Sequence, residues 1–148
     1  MKYKDMSKQE KLAWLALVIF AAASAYLGWR LFVADLIYGH SFGQKTAQRA
    51  SYAFFSFLVG YYFIKRKDNS AFVDERDKQI ALKRIEAGYL SLGLMLVFAV
   101  TVVGLESYEV FFNSLSPSWV EGLLMLMLMS SVAIHSMVGV VCYWRDRR

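Results

Sequence analysis

The sequence predicts an all-α integral membrane protein, a four-helix bundle in which the third helix extends into the cytoplasm. Three observations carry that prediction. Four apolar runs, 12–29, 47–64, 88–105 and 119–144, fill most of the 148 residues, and a membrane span needs roughly 20 apolar residues to cross a hydrocarbon core about 30 Å thick. Basic residues are segregated: Lys2, Lys4, Lys8 and Lys11 precede the first run, Lys65 to Arg84 lie between the second and third, and Arg145, Arg147 and Arg148 follow the fourth, which leaves only Arg30, Lys45 and Arg49 on the other side. Aromatic residues mark the run ends, with Trp14, Tyr61, Tyr62, Tyr89, Tyr143 and Trp144 at one boundary and Trp29, Tyr38, Tyr52, Tyr108 and Trp119 at the other. Tyr and Trp favour that level because one end of each ring is wet and the other apolar.

Hydrophobic residues make up 57% of the chain, more than a soluble domain of this size hides. The connections are too short for a separate soluble domain, so 1–148 reads as one membrane domain. The net charge of +5 would suit nucleic acid in a soluble protein. Here the basic residues are topology signals instead, and no nucleic-acid partner is expected. By the positive-inside rule both termini and the loop 65–87 are cytoplasmic. The single Cys142 excludes an internal disulfide and reads as a small apolar filler.

The first run is the one ambiguous element. Its basic approach and Ala23-Ser24-Ala25 resemble a signal peptide and its cleavage site. Asp5 and Glu10 are untidy for a signal and the apolar run continues to Trp29, so an uncleaved span is expected. Ala21, Ser24, Ala25 and Gly28 offer a small-residue face for close helix packing. The segment 31–38 extends the span or lies in the interface, until Gly39, Ser41 and Gly43 break the helix. Arg49 opens the second run. After the basic turn 65–70, Asp74 is an expected N-cap with Asp77 three residues later, and acids there favour the helix dipole. Asp74 and Lys78 make an i,i+4 pair. Leu82, Ile85, Tyr89 and Leu92 form a stripe at helical spacing, so one helix is expected from about Glu75 to about Leu105. Ser116 is the expected N-cap of the fourth helix and Pro117 its first residue. Ser136 and Gly139 form a second small face.

Few residues suggest chemistry. His135 lies near the middle of the fourth run, and a titratable group at that depth is a functional candidate, as a proton relay or ion ligand. The alternative is a neutral ring bonded to Ser131, Ser24, Ser91 or Thr101. The only other histidine, His40, lies in an outer connection, so no metal or cofactor is expected. Met125, Met127 and Met129 alternate, which spreads them around a helix and suits packing better than metal ligation. No nucleophile constellation is present, and the chain is expected to be no enzyme. Small four-helix drug exporters have a similar length but depend on a buried carboxylate in the first span, and 12–29 has none.

The remaining motif is Asp74-Glu75-Arg76-Asp77-Lys78-Gln79-Ile80. Here the chain resembles a group of small uncharacterised prokaryotic membrane proteins, in which an acidic-Glu-Arg-Asp-x-x-Ile segment leads into a hydrophobic helix. The resemblance covers this motif, the following span and the four-helix layout. It implies a fold and an inner (cytoplasmic) membrane address, not a reaction. Physically, three acids and an arginine in one turn suit a partner contact, or a tie to the basic ends of neighbouring helices, or simply a well-capped, solvated helix start. The expected function is therefore that of a non-enzymatic membrane interaction or regulatory protein. Asp74, Glu75, Arg76 and Asp77 would contact a membrane or cytoplasmic protein or a second copy, with Arg76 bonded locally. A small transporter or channel subunit using His135 is the alternative.

Overall fold

The computed structural model describes residues 6–34, 44–67, 75–104 and 117–146. Among these residues the chain is all-helical and has no strand. Helix α1 spans Lys8–Gly28 and runs on through a π-helical turn, Trp29–Ala34; α2 spans Gln44–Lys67, α3 Glu75–Gly104 and α4 Pro117–Arg145. The expected N-caps Asp74 and Ser116, the breakers Gly39, Ser41 and Gly43, and Asp5, Asp35 and His40 lie outside the described residues.

The start of α1 carries a signal absent from the sequence reading. Ser7 has extended backbone angles, and its Oγ accepts from the Glu10 backbone N–H at 3.2 Å. Its carbonyl accepts from Lys11 N–H at 3.0 Å. Ser7-x-x-Glu10 is thus a Ser-x-x-Glu capping pattern, which satisfies donors that the first helical turn would leave bare. At the far end, the Trp29 N–H is shared between the carbonyls of Ala25 and Tyr26. The helix widens there without stopping, as the extension of the first span predicts.

Helix α4 is central. It packs most extensively on α1, then on α3, while α2 packs on α1 and only lightly on α4. Ala13, Ala16, Phe20, Leu27 and Leu31 recur at helical spacing and form the inner stripe of α1. Together with Met129 of α4, the last four make the core. Phe20 meets Phe54 of α2 edge-on, with ring centroids 5.1 Å apart, and Phe57 at 5.5 Å. Met127 and Met129 are buried and Met125 packs against the core, so these methionines serve packing. The start of α1, the end of α2, the start of α3 and the end of α4 gather at one end of the molecule, the four ends that the charge pattern assigns to one side.

One expectation is corrected. The small-residue face of α1 is not its packing face: Ala21 and Ala25 are exposed and Gly28 has open space where a side chain would begin. Bulky Phe20, Leu27 and Leu31 face inward instead, because α2 and α4 interdigitate with α1 rather than approaching at backbone distance. Among the described residues, Lys8–Val33, Glu75–Thr101 and Val120–Arg145 are long and apolar enough to cross a membrane; α2, the expected second span, is the least apolar of the four helices. Its apolar residues are interrupted by Tyr52, Ser56, Gly60, Tyr61 and Tyr62. The stripe of α3 is also turned outward: Leu82, Ile85 and Tyr89 are exposed, Tyr89 by 75%.

Candidate functional site

The seam between α3 and α4 carries a series of polar contacts between helices. Asp77, Ile80, Arg84, Gly88 and Ser91 recur every three or four residues along α3, so they share one face. Ser131, His135, Gly139 and Tyr143 recur every four along α4. The helices are antiparallel, and the two stripes meet residue by residue.

At the outer end of the seam, the Tyr143 O–H donates to Asp77 Oδ1 at 2.7 Å. Tyr143 is buried, so this bond is shielded from water. Arg76 Nε donates to Asp146 Oδ2 at 2.9 Å, between half-exposed side chains. These contacts correct the expected motif chemistry. Arg76 is bonded to Asp146 and not locally, and among the described residues no ion pair joins Glu75 or Asp77 to a basic segment. Arg76 seeks the one carboxylate at the end of α4, and Asp77 takes a phenol hydroxyl. Glu75 is exposed at the helix start, and Asp74 lies outside the described residues.

About two turns deeper, the Arg84 side chain crosses α4 over Gly139. A Cβ at Gly139 would lie 2.7 Å from Arg84 Cδ and Nε, so only glycine leaves this path open. The sequence reading paired Gly139 with Ser136 as a small face, and both are buried. What fills the space is an arginine rather than a helix backbone. Arg84 Nε is buried with no hydrogen-bond partner among the described residues, a state that costs free energy unless something satisfies it.

His135 Nδ1 lies 2.8 Å from the Arg84 carbonyl oxygen. A carbonyl only accepts, so Nδ1 is the donor and Nε2 is left as the acceptor nitrogen. The expected partners are corrected. Ser131 Oγ donates to the Gly88 carbonyl at 2.8 Å, and Ser91 Oγ donates to the same carbonyl at 2.9 Å. Ser24 and Thr101 bond to carbonyls of their own helices, Phe20 and Val97. Gly88 lets the ring sit close, since a Cβ there would be 3.2 Å from His135 Cβ. His135 is therefore level with Arg84, about one turn before residue 88, where the third apolar run begins.

Beside the seam lies an open groove of about 530 Å³ to which all four helices contribute. Its lining is mostly apolar, with Leu12, Phe57, Ile85, Leu92 and Val132 among it. Arg84, His135 and Ser131 are its polar groups near the seam, and no carboxylate lines it. The Ser131 hydroxyl and His135 Nδ1 both donate to carbonyls of α3, those of Gly88 and Arg84. Among the described residues, no group of three His, Cys, Asp or Glu side chains is placed to hold a metal ion.

The structure thus puts Arg76, Asp77 and His135 on one seam but in separate clusters, roughly 10 Å apart along α3 at 1.5 Å per residue. Arg84 was missed because a basic residue beside a span reads as a topology signal. The repeat of polar or small residues every fourth position in both helices was the available clue. Comparison with protein-family models, with curated proteins and with solved structures gives no match.

Proposed function

We propose that the chain is a multi-pass protein of a prokaryotic cytoplasmic membrane, with both termini cytoplasmic, and that it acts by binding rather than catalysis. In this reading α3 is the interaction helix. One observation supports it above the others: Ile80 is the only buried side chain among those described on α3. Leu82, Ile85 and Tyr89 face outward at the level of exposed Lys83 and Glu86. Lipid tails cover apolar surface within a bilayer at no cost. They do not reach a turn that also carries exposed charges, so a protein surface is the better cover for Leu82 and Ile85. The Arg76 and Asp77 contacts then serve within the chain, holding α3 on α4 so that the stripe is presented in one direction.

The test is recovery in mild detergent. Leu82→Ser with Ile85→Ser should insert and accumulate like the parent, yet lose a co-purifying protein or a second copy. Recovery equal to the parent's would remove the basis for α3 as an interaction helix. A second reading, a small transporter or channel subunit, is favoured by the position of Arg84 and His135 in the groove. It expects a folded, abundant His135→Gln variant to lose flux, whereas the interaction reading expects that variant to keep its partner.

A further inference from the structure

We propose that the groove binds an anionic phospholipid of the cytoplasmic leaflet, with the phosphate on the Arg84 guanidinium and an acyl chain along the apolar lining. Charge complementarity carries the first half. Arg84 is the one charged side chain lining the groove. Its Nε is buried without a partner. Two carboxylates near the seam are already engaged, Asp77 with Tyr143 and Asp146 with Arg76, and Glu10, buried at the start of α1, is not part of the lining. A guanidinium carries five N–H donors in a planar fork, a match for two phosphate oxygens at once. Supplying an anion there satisfies a donor that the chain leaves bare.

The acyl half rests on shape and composition. A groove of about 530 Å³ falls within the range of sites for small organic ligands. Phe57, Leu92 and Val132 offer an apolar path continuing inward from Arg84. Depth supports a lipid over a soluble anion. Arg84 precedes residue 88, the expected start of the third span, by about one helical turn, or roughly 6 Å. That is the level at which a phosphate meets water while its chains enter the hydrocarbon. Tyr61 and Tyr89, which border the groove, suit the same interface. The Gly139 gap fixes where the guanidinium lies, so the headgroup position is set by packing.

The experiment uses the full chain in neutral detergent, with phosphatidylglycerol and phosphatidylcholine as probes and native mass spectrometry to count retained lipid. The parent should retain one phosphatidylglycerol per chain, preferred over phosphatidylcholine by about tenfold or more, a difference of about 1.4 kcal/mol. Arg84→Gln should lose the preference, and Arg84→Lys should keep part of it, as a cation without the bidentate fork. Gly139→Ala keeps the charge but displaces the guanidinium, and should weaken retention while the protein stays helical and monodisperse. It therefore decides the matter should Arg84→Gln fail to fold. Inorganic phosphate should not displace the lipid. An equal preference in Arg84→Gln and Gly139→Ala, no preference in the parent, or full displacement by phosphate would each overturn the proposal, the last by making this a site for free anions. Partner recovery is read separately with Leu82→Ser alone, because Leu82 is outside the groove lining and Ile85 is part of it, so failure of the interaction reading leaves this result intact.

Discussion

Replacing Tyr143 with Phe deletes one hydroxyl and keeps the ring, so no cavity opens beside it. The lost bond is 2.7 Å long and ends on a carboxylate oxygen of Asp77, and Tyr143 is 3% exposed. A hydrogen bond to a charged group contributes about 1.5–3 kcal/mol. The neighbouring Arg76–Asp146 pair is similarly short at 2.9 Å, but its side chains are 45% and 37% exposed. Pairs of that kind contribute about 0–1 kcal/mol. The phenol bond should therefore outrank the ion pair in holding the start of α3 on α4. At about 1.4 kcal/mol per factor of ten, Tyr143→Phe should raise local opening of the first turns of α3 by roughly 10–100-fold. Arg76→Ala should raise it by about fivefold at most. Amide hydrogen exchange over residues 78–84, measured in detergent micelles, reads that opening directly. Combining Tyr143→Phe with Asp77→Asn should add little to either alone, because both act through one bond. Unchanged exchange in Tyr143→Phe, or a larger effect from Arg76→Ala, would refute this ranking.

Four other outcomes follow from the same geometry. Gly93→Ala, with open space, should stabilise α3 by up to about 1 kcal/mol, and Gly88→Ala should fall short of that gain, because its Cβ would meet His135 Cβ at 3.2 Å; thermal midpoints in detergent rank the two. Ala21→Leu and Ala25→Leu should change stability by no more than about 0.5 kcal/mol, since both sites are exposed, and a large loss in the same assay would restore the small-residue face as a packing surface. His135→Gln should keep the fold, because a side-chain amide can donate to the Arg84 carbonyl, while His135→Leu should melt earlier by losing the bond that ties α4 to it. Reporter fusions after residue 148 and at residue 41 should give opposite signals, and a C-terminus on the far side would end the topology reading.

The helices were legible in the sequence because their ends carry local chemistry. The third was expected from about Glu75 to about Leu105 and spans Glu75–Gly104. The fourth begins at Pro117, where a residue without an N–H loses no helical bond. The inward faces were not legible. A helix in water declares its buried side by contrast with a polar one, but α1 is apolar all round, and Phe20 and Val18 look alike by composition although one is core and the other exposed. Small residues were a false guide on α1 and a partial one on α4, where Gly139 makes room for an arginine. The candidate site was half visible. His135 stood out as a titratable group, and Ser131 was noted one turn away. Their partners, the carbonyls of Arg84 and Gly88, carry no side-chain signature at all.

Polarity along the seam falls in steps with distance from its open end, and this order has a physical reason. First comes an exposed ion pair, Arg76 with Asp146. Next is a carboxylate held by a buried phenol, Asp77 with Tyr143. Then His135 bonds a carbonyl, and beyond it Ser131 and Ser91 share one. Past Ser91, α3 presents apolar side chains along with Thr101, whose hydroxyl bonds within its own helix. Desolvating an ion costs several kcal/mol, and a neutral hydroxyl much less. Each group thus stands about as deep as its own partner can sustain. That ordering supports placing the Arg76–Asp146 end in water, and it agrees with the sequence rule that gathers basic residues there. Arg84 breaks the order. It is a full charge set deeper than the Asp77 carboxylate, with one buried donor unmet and a groove free of carboxylates beside it. In a series otherwise satisfied step by step, that exception is the physical reason to look for an anion from outside the chain.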